Sequence, residues 1–224
     1  MIVDSHCHLH DPAFADVRGT VIRATEHNVW GAVAVGFFAQ AVDGALGAYI
    51  LEEMAAKGIH GFPVGAFDNG MRQITPVSKP IVVPADLKGM RMRVPAGAMF
   101  DDMFRTLGCE PVTINSIDIY AGLKSGKADA QENPLALVDG FKLYEVVKYV
   151  SMTNHMWSGF NLLANQAAWN RIPLDIRAVI ERQATKAVRL QRLDQEKANT
   201  AARGTMAGHG LAFNVGISPA RGVD

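Results

Sequence analysis

Apolar and polar positions alternate along this chain with two different periods. Met1 to His8 reads as a strand, Asp16 to Asn28 as a helix and Trp30 to Phe38 as a strand whose Val33, Val35 and Phe37 form the apolar run of a buried parallel strand. Together they make one βαβ unit. Leu46, Tyr49, Ile50 and Met54 recur at helical spacing and predict a helix over 46–57, with Gly58 as its left-handed stop. Ile59 to Phe67 follows as a strand, and the turn-forming residues of "DNGMRQIT" place Arg72 in a loop.

From Ile74 to Pro84 the chain is rich in proline and β-branched residues and reads as extended. "PADLKGMRMRVP" then offers a one-turn helix, a glycine stop and a strand over 90–94. Ala98 to Leu107 is predicted helical and closed by Gly108. Pro111 to Ile114 is a short strand, and Ser116 stands as N-cap of a helix over 117–124. Ala128 to Glu132 is a strand, Pro134 opens a helix to about Val147, and strands follow over 149–153 and 159–164. Pro173 opens the longest helix, ending near Gly204, with Ile176, Ile180, Ala184, Ala187, Leu190 and Leu193 on one side and charged residues on the other. Strands alternating with helices in this way predict an α/β fold with a largely parallel sheet, in which ligands bind beyond the carboxyl ends of strands.

Composition narrows the function classes. With 224 residues, 49% hydrophobic and 20% charged, the chain can bury a sizeable core. Twenty-two basic residues balance twenty-two acidic ones, so no sequence-independent attraction to nucleic acid or anionic lipid is built in. The two cysteines, Cys7 and Cys109, match no metal-knuckle or CxxC spacing. No basic segment followed by an apolar stretch opens the sequence. The chain is therefore expected either to be cytosolic or to have had an export signal removed. Neither GxSxG nor a phosphate loop occurs, no cofactor is implied, and Cys109 has no recognisable His or Asn context, which directs the reading toward binding rather than catalysis.

The chemistry-bearing residues fall in the middle of the chain. Arg93 stands at the carboxyl end of its predicted strand, just before Pro95, where a fixed guanidinium presents a two-donor fork to a carboxylate. Asn133 holds the equivalent place after the strand over 128–132, and its amide can donate to the same anion. The helix predicted from Pro134 would lend its positive end. Arg72 would add a second positive charge.

"FDNGMRQIT", "PADLKGMRMRVP", "LKSGKADAQENPL", "KLYEVVKYVSMTNH" and "GFNLLANQAAWNRIP" occur in the order and spacing of the DctP-type solute-binding proteins of TRAP transporters, and from about Gly44 to about Val215 the chain resembles that family. The resemblance implies a periplasmic-binding-protein-like, two-lobed receptor that closes on a small organic acid and delivers it to the permease subunits in the membrane. It implies a periplasmic location, and it makes Arg93 the partner of the ligand carboxylate, with Asn133 and Arg72 beside it. Ser116 and Trp157 fall at places that resemble pocket-wall positions. Family members are longer ahead of Gly44, so the expectation is a first lobe truncated or rebuilt. Residues 41–215 then form the receptor-like region, 1–40 a separate βαβ segment and 216–224 a tail.

The opening "MIVDSHCHLH" points elsewhere. His6 and His8, two apart on a strand, put both imidazoles on one face after Asp4, as a metal ion requires. Residues 1–36 resemble the start of TatD-like metal-dependent hydrolases, whose barrels typically take about 250 residues. His60, His155 and His209 have no motif context as further ligands. Two resemblances meeting near Phe38 imply a chimera. A hydrolase would hold a metal through His6 and His8, whereas a receptor fragment that no longer binds would hold neither metal nor acid.

Overall fold

A computed structural model describes residues 38–215, which form two compact units, one containing Met71–His155 and the chain from Lys197 onward, the other the chain up to Gly70 together with Met156–Glu196. In chain order the elements are α1 (Phe38–Asp43), α2 (Ala45–Ala56), β1 (Ile59–Pro76), β2 (Arg91–Val94), α3 (Ala98–Thr106), β3 (Glu110–Thr113), α4 (Ile119–Lys124), β4 (Ala130–Asn133), α5 (Leu135–Gly140), β5 (Tyr149–Asn165), α6 (Gln166–Asn170), α7 (Leu174–Gly208) and β6 (Ala212–Val215). Single 3-10 turns stand at Pro84–Leu87, Ser116–Asp118 and Leu143–Glu145. The predicted strands and helix over 1–37 and the tail 216–224, with Cys7, His6 and His8, lie outside the described residues. Among the described residues no helix is long and apolar enough to cross a membrane, and no His, Cys, Asp and Glu group could hold a metal ion.

The strand order is β3-β2-β4-β1-β5-β6. β2 runs parallel to β3 and β4, β5 parallel to β6, and β1 antiparallel to β4, so the sheet is mixed where the alternation pattern predicts it parallel. The difference arises because β1 extends over 18 residues, through the stretch that reads as a loop. Asp68 and Gly70 keep a turn-type hydrogen bond within that strand. Gly70 takes φ +100°, and its N–H donates to the Asp68 carboxylate at 2.9 Å. Arg72 therefore sits on a strand, not a loop.

Two apolar clusters fill the Met71–His155 unit. Ile74, Ile81, Met92, Val94 and Phe104 pack α3 against one face of the sheet. Ile119, Leu123, Val138, Leu143, Val150 and Met206 pack α4, α5 and the end of α7 against the other. Cys109 is buried in the first cluster, and desolvation pushes its thiol up to about 12. Turn glycines deliver the strands at the predicted places. Gly89 ends the 3-10 turn before β2 at φ +70°, and its N–H donates to the Gly108 carbonyl at 2.8 Å. An added methyl at Gly89 would meet no atom within 4 Å, so Gly89→Ala is expected to cost only the left-handed backbone penalty, about 1 kcal/mol. The denaturant midpoint checks this, and an unchanged midpoint would show that the turn can adopt another conformation.

Three further expectations give way. The helix predicted from Pro134 to Val147 stops at Gly140, because Lys142 turns left-handed at φ +52° and a 3-10 turn follows. Ser116 caps no helix: it begins a 3-10 turn, and α4 starts at Ile119 with Asp118 at its N-cap. On α7 the predicted apolar face is largely exposed, with Ile176, Leu190 and Leu193 open to solvent. The part of the helix up to Glu196 is held in its unit by hydrogen bonds from residues that read as its polar side. Gln191 bonds both the N–H and the carbonyl of Asp68, and Arg192 pairs with Asp43 and donates to the Ala66 carbonyl.

Candidate functional site

The site is built where β4 ends. In the β1–β4 register Gln73 faces Asn133, Ile74 faces Glu132 and Thr75 faces Gln131. The two-residue period thus sets Gln131 and Asn133 on one face of the sheet and Glu132 on the other. Along β1 the same period puts Arg72 on the face of Ile74, diagonal to Glu132. All four of these polar side chains, Arg72, Gln131, Glu132 and Asn133, are buried, so each must find a partner.

Glu132 finds two. The Arg72 guanidinium clasps its carboxylate with Nε and a terminal nitrogen, the latter at 2.6 Å, and also donates to the Glu132 backbone carbonyl at 2.9 Å. His155 Nε2 lies 3.2 Å from the same carboxylate, its Nδ1 2.7 Å from the Thr153 hydroxyl, its ring edge-on to Phe104. The Phe100 ring lies under Arg72, 5.4 Å from its central carbon. Burial alone would push the Glu132 carboxyl upward. Hydrogen bonds and charge from His155 and Arg72 together outweigh it and hold the carboxyl below its ordinary value.

Over the end of β4, Arg72 donates at 3.0 Å to Asn133 Oδ1. The Asn133 amide then donates at 2.5 Å to Gln131 Oε1, and the Gln131 amide donates to the Thr75 hydroxyl. This chain fixes Asn133 with its oxygen turned toward Arg72 and its nitrogen toward Gln131.

Arg93 is differently placed. On β2 it pairs in register with Gln131 of β4 and Val112 of β3, and its Nε donates to the Ile114 carbonyl at 2.9 Å. That bond fixes the plane of the guanidinium. Its two terminal nitrogens have no hydrogen-bond partner among the described residues, although the residue is only 3% exposed. Desolvation lowers its pKa to about 10, with Glu132 pulling it back up and Arg72 adding to the depression. A guanidinium fixed in one plane can present two parallel donors to a carboxylate.

Of the five residues singled out in the sequence, the structure brings three together in one unit: Arg72, Arg93 and Asn133. Ser116 belongs to the same unit and is exposed at the start of its 3-10 turn. Trp157 belongs to the other unit, where its indole N–H donates to Asp68 at 2.7 Å. The sequence reading misses Glu132 and His155. A signal for Glu132 is present in "ADAQENP", since a charged residue in the middle of a strand must either face water or be paired. His155 carries no such mark, because its partner lies 23 residues earlier in the chain.

Comparison with known proteins identifies the family. Residues 35–215 match the family model described as bacterial extracellular solute-binding protein, family 7, DctP. The chain belongs to this family. A solute-binding protein of Roseobacter denitrificans is 30% identical over 78% of the chain and 53% of its own length. The C4-dicarboxylate-binding periplasmic protein DctP of Rhodobacter capsulatus is 30% identical over 62% of the chain and 41% of its own length. Among solved structures, a TRAP periplasmic solute-binding protein from Roseobacter denitrificans with bound β-D-glucuronate superposes with a TM-score of 0.78 at 27% identity, covering 83% of this chain and 61% of that one. The fold is thus the α/β fold of these periplasmic receptors. The chain spans about half the length or less of the curated relatives it matches. The hydrolase-like opening lies almost wholly ahead of the matched region.

Proposed function

We propose that the chain acts as the extracytoplasmic receptor component of a TRAP-type transporter, capturing a small organic acid in the periplasm for delivery to the membrane permease. The observation that carries the reading is the guanidinium of Arg93, buried, held in one plane by the Ile114 carbonyl and without a carboxylate partner among the described residues. A ligand carboxylate supplies the missing acceptors in a bidentate pair. Asn133, its amide already fixed by Arg72 and Gln131, orients the acid from the neighbouring strand. The five-motif resemblance and the family match support the same assignment, as do the acids named in the structures of similar proteins. With no nucleophile beside a base among these residues, the chemistry of the site is capture and release.

Native mass spectrometry of the protein as purified, set against the mass of the denatured chain, tests this. The expected result is a bound species of organic-acid mass that is exchanged by an added carboxylate. A bound metal with no acid would favour a hydrolase working through His6 and His8. A chain that stays empty with added acids would overturn the receptor reading.

A further inference from the structure

We propose that the outer face of α7 between Ile176 and Leu193 docks an amphipathic helix of another protein, one whose apolar stripe is flanked by acidic residues. The need for a cover comes from the distribution of apolar side chains. Of the fourteen large apolar side chains exposed among the described residues, ten belong to the unit that contains Met156–Glu196. That unit holds only four of the twenty-five buried apolar ones, Phe62, Ala66, Trp169 and Val188. A unit so composed leaves apolar surface for a partner. On α7 that surface is ordered. Ile176, Val179, Gln183, Lys186, Leu190 and Leu193 are all exposed and follow one another at alternating intervals of three and four residues, the seam along which one helix packs on another.

Charge on the face decides what the partner is. Arg182, Lys186 and Arg189 are exposed and stand at helical spacing, without a hydrogen-bond or ion-pair partner among the described residues. With Thr185 and Leu190 they line a groove of about 640 Å³ between α7 and Pro63 of β1. The one acid on the groove, Glu181, is half-buried, and its charge is felt at His60 on β1. A second copy of this chain fits poorly. Laid antiparallel, so that Ile176 meets Leu193 and Val179 meets Leu190, it would set Arg182 of each helix beside Arg189 of the other. Laid parallel and in register, it would set Lys186 against Lys186. An anionic lipid surface, negative throughout, would meet Asp175 and Asp194, which close the face at its two ends. A helix with Leu or Ile along one side and Asp or Glu beside them answers both features. Its apolar stripe covers Ile176, Val179, Leu190 and Leu193, and its carboxylates face the three cations.

The probes are two helical peptides with the same apolar residues and opposite flanking charge, one of repeated Glu-Ile-Ala-Ala-Leu-Glu-Lys heptads and one of repeated Lys-Ile-Ala-Ala-Leu-Lys-Glu heptads. Binding of each labelled peptide to the whole protein is read by fluorescence anisotropy. The acidic peptide is expected to bind about tenfold or more tighter than the basic one at low salt, and the ratio to shrink as salt screens the flank. The triple variant Arg182→Glu, Lys186→Glu, Arg189→Glu is expected to invert the preference, and the double variant Leu190→Ser, Leu193→Ser to weaken both peptides. Should the triple variant fail to fold, the ratio in the unmodified protein still decides. Equal binding of the two peptides, or binding of neither, overturns the proposal. A dimer by sedimentation that dissociates in the double variant also overturns it and gives the face to a second copy. Capture by phosphatidylglycerol vesicles that the triple variant abolishes overturns it in favour of lipid. These residues lie outside the unit that holds Arg93, so the outcome is independent of the acid-capture reading.

Discussion

Replacing Arg93 with alanine is expected to weaken acid binding by about 2–5 kcal/mol, the cost of truncating one partner of a desolvated charge pair. That corresponds to a loss of roughly 30- to 5,000-fold in affinity. Arg93→Lys keeps the charge but replaces a planar fork with a point charge, and it cannot repeat both the bond to the Ile114 carbonyl and a bidentate grip, so its affinity falls between the two. The stability of the empty protein separates this role from a structural one. Burial depresses the Arg93 pKa, Glu132 offsets this only in part, and no carboxylate among the described residues is bonded to it, so the folded state bears a net desolvation cost. Arg93→Met is therefore expected to leave the denaturation midpoint unchanged or to raise it while abolishing binding. The sign follows from the direction of the shift: a cation whose folded pKa is lowered opposes folding below that pKa, and the opposition fades as the pH rises through about 10. Calorimetric titration with the acid identified by mass spectrometry, together with urea melts of the ligand-free variants, measures both effects. Unchanged affinity in Arg93→Ala would remove Arg93 from the site.

Local chemistry made most of this fold legible in the sequence. Gly58, Gly89, Gly108 and Gly126 all take positive φ, at or next to the places where apolar periodicity breaks. β2, α3 and β3 fall within a residue or two of their predicted limits. The failures share one physical cause, which is that tertiary partners decide between locally equivalent options. Asp-Asn-Gly is a good turn, yet β1 runs through it because Ile74 and Gln73 have a strand to pair with on the far side. Gln191 and Arg192 read as solvent-facing helix residues, yet they become the anchors of α7 because backbone groups of Asp68 and Ala66 lie within reach. For the site, the sequence shows which residue types stand at strand ends but not which charges cancel. Arg72 and Arg93 look equivalent along the chain. Only the register that sets Glu132 diagonal to Arg72 gives one of them a buried carboxylate partner, while the other has none among the described residues.

Glu132→Ala is expected to destabilise the protein by about 3–5 kcal/mol, because it removes the buried carboxylate that clasps the Arg72 guanidinium. Glu132→Gln costs less, since the amide oxygen still accepts from Arg72. Removing both members of the ion pair together leaves neither without the other: the double variant Glu132→Leu, Arg72→Met is expected to be far more stable than the sum of its parts, giving a large coupling in a double-mutant cycle. The wild-type carboxyl is held below its ordinary 4.5 despite its burial, so its contribution has a defined pH window. A group whose folded pKa is lowered stabilises fully above its unfolded pKa and loses that stabilisation as the pH falls through the folded value. Wild-type stability is therefore expected to decline with added steepness below about pH 4.5, and the double variant to lack that component. Urea midpoints measured across pH 3 to 7 on the wild type, both single variants and the pair resolve the coupling. Additive single and double effects would show that Arg72 finds another counter-charge.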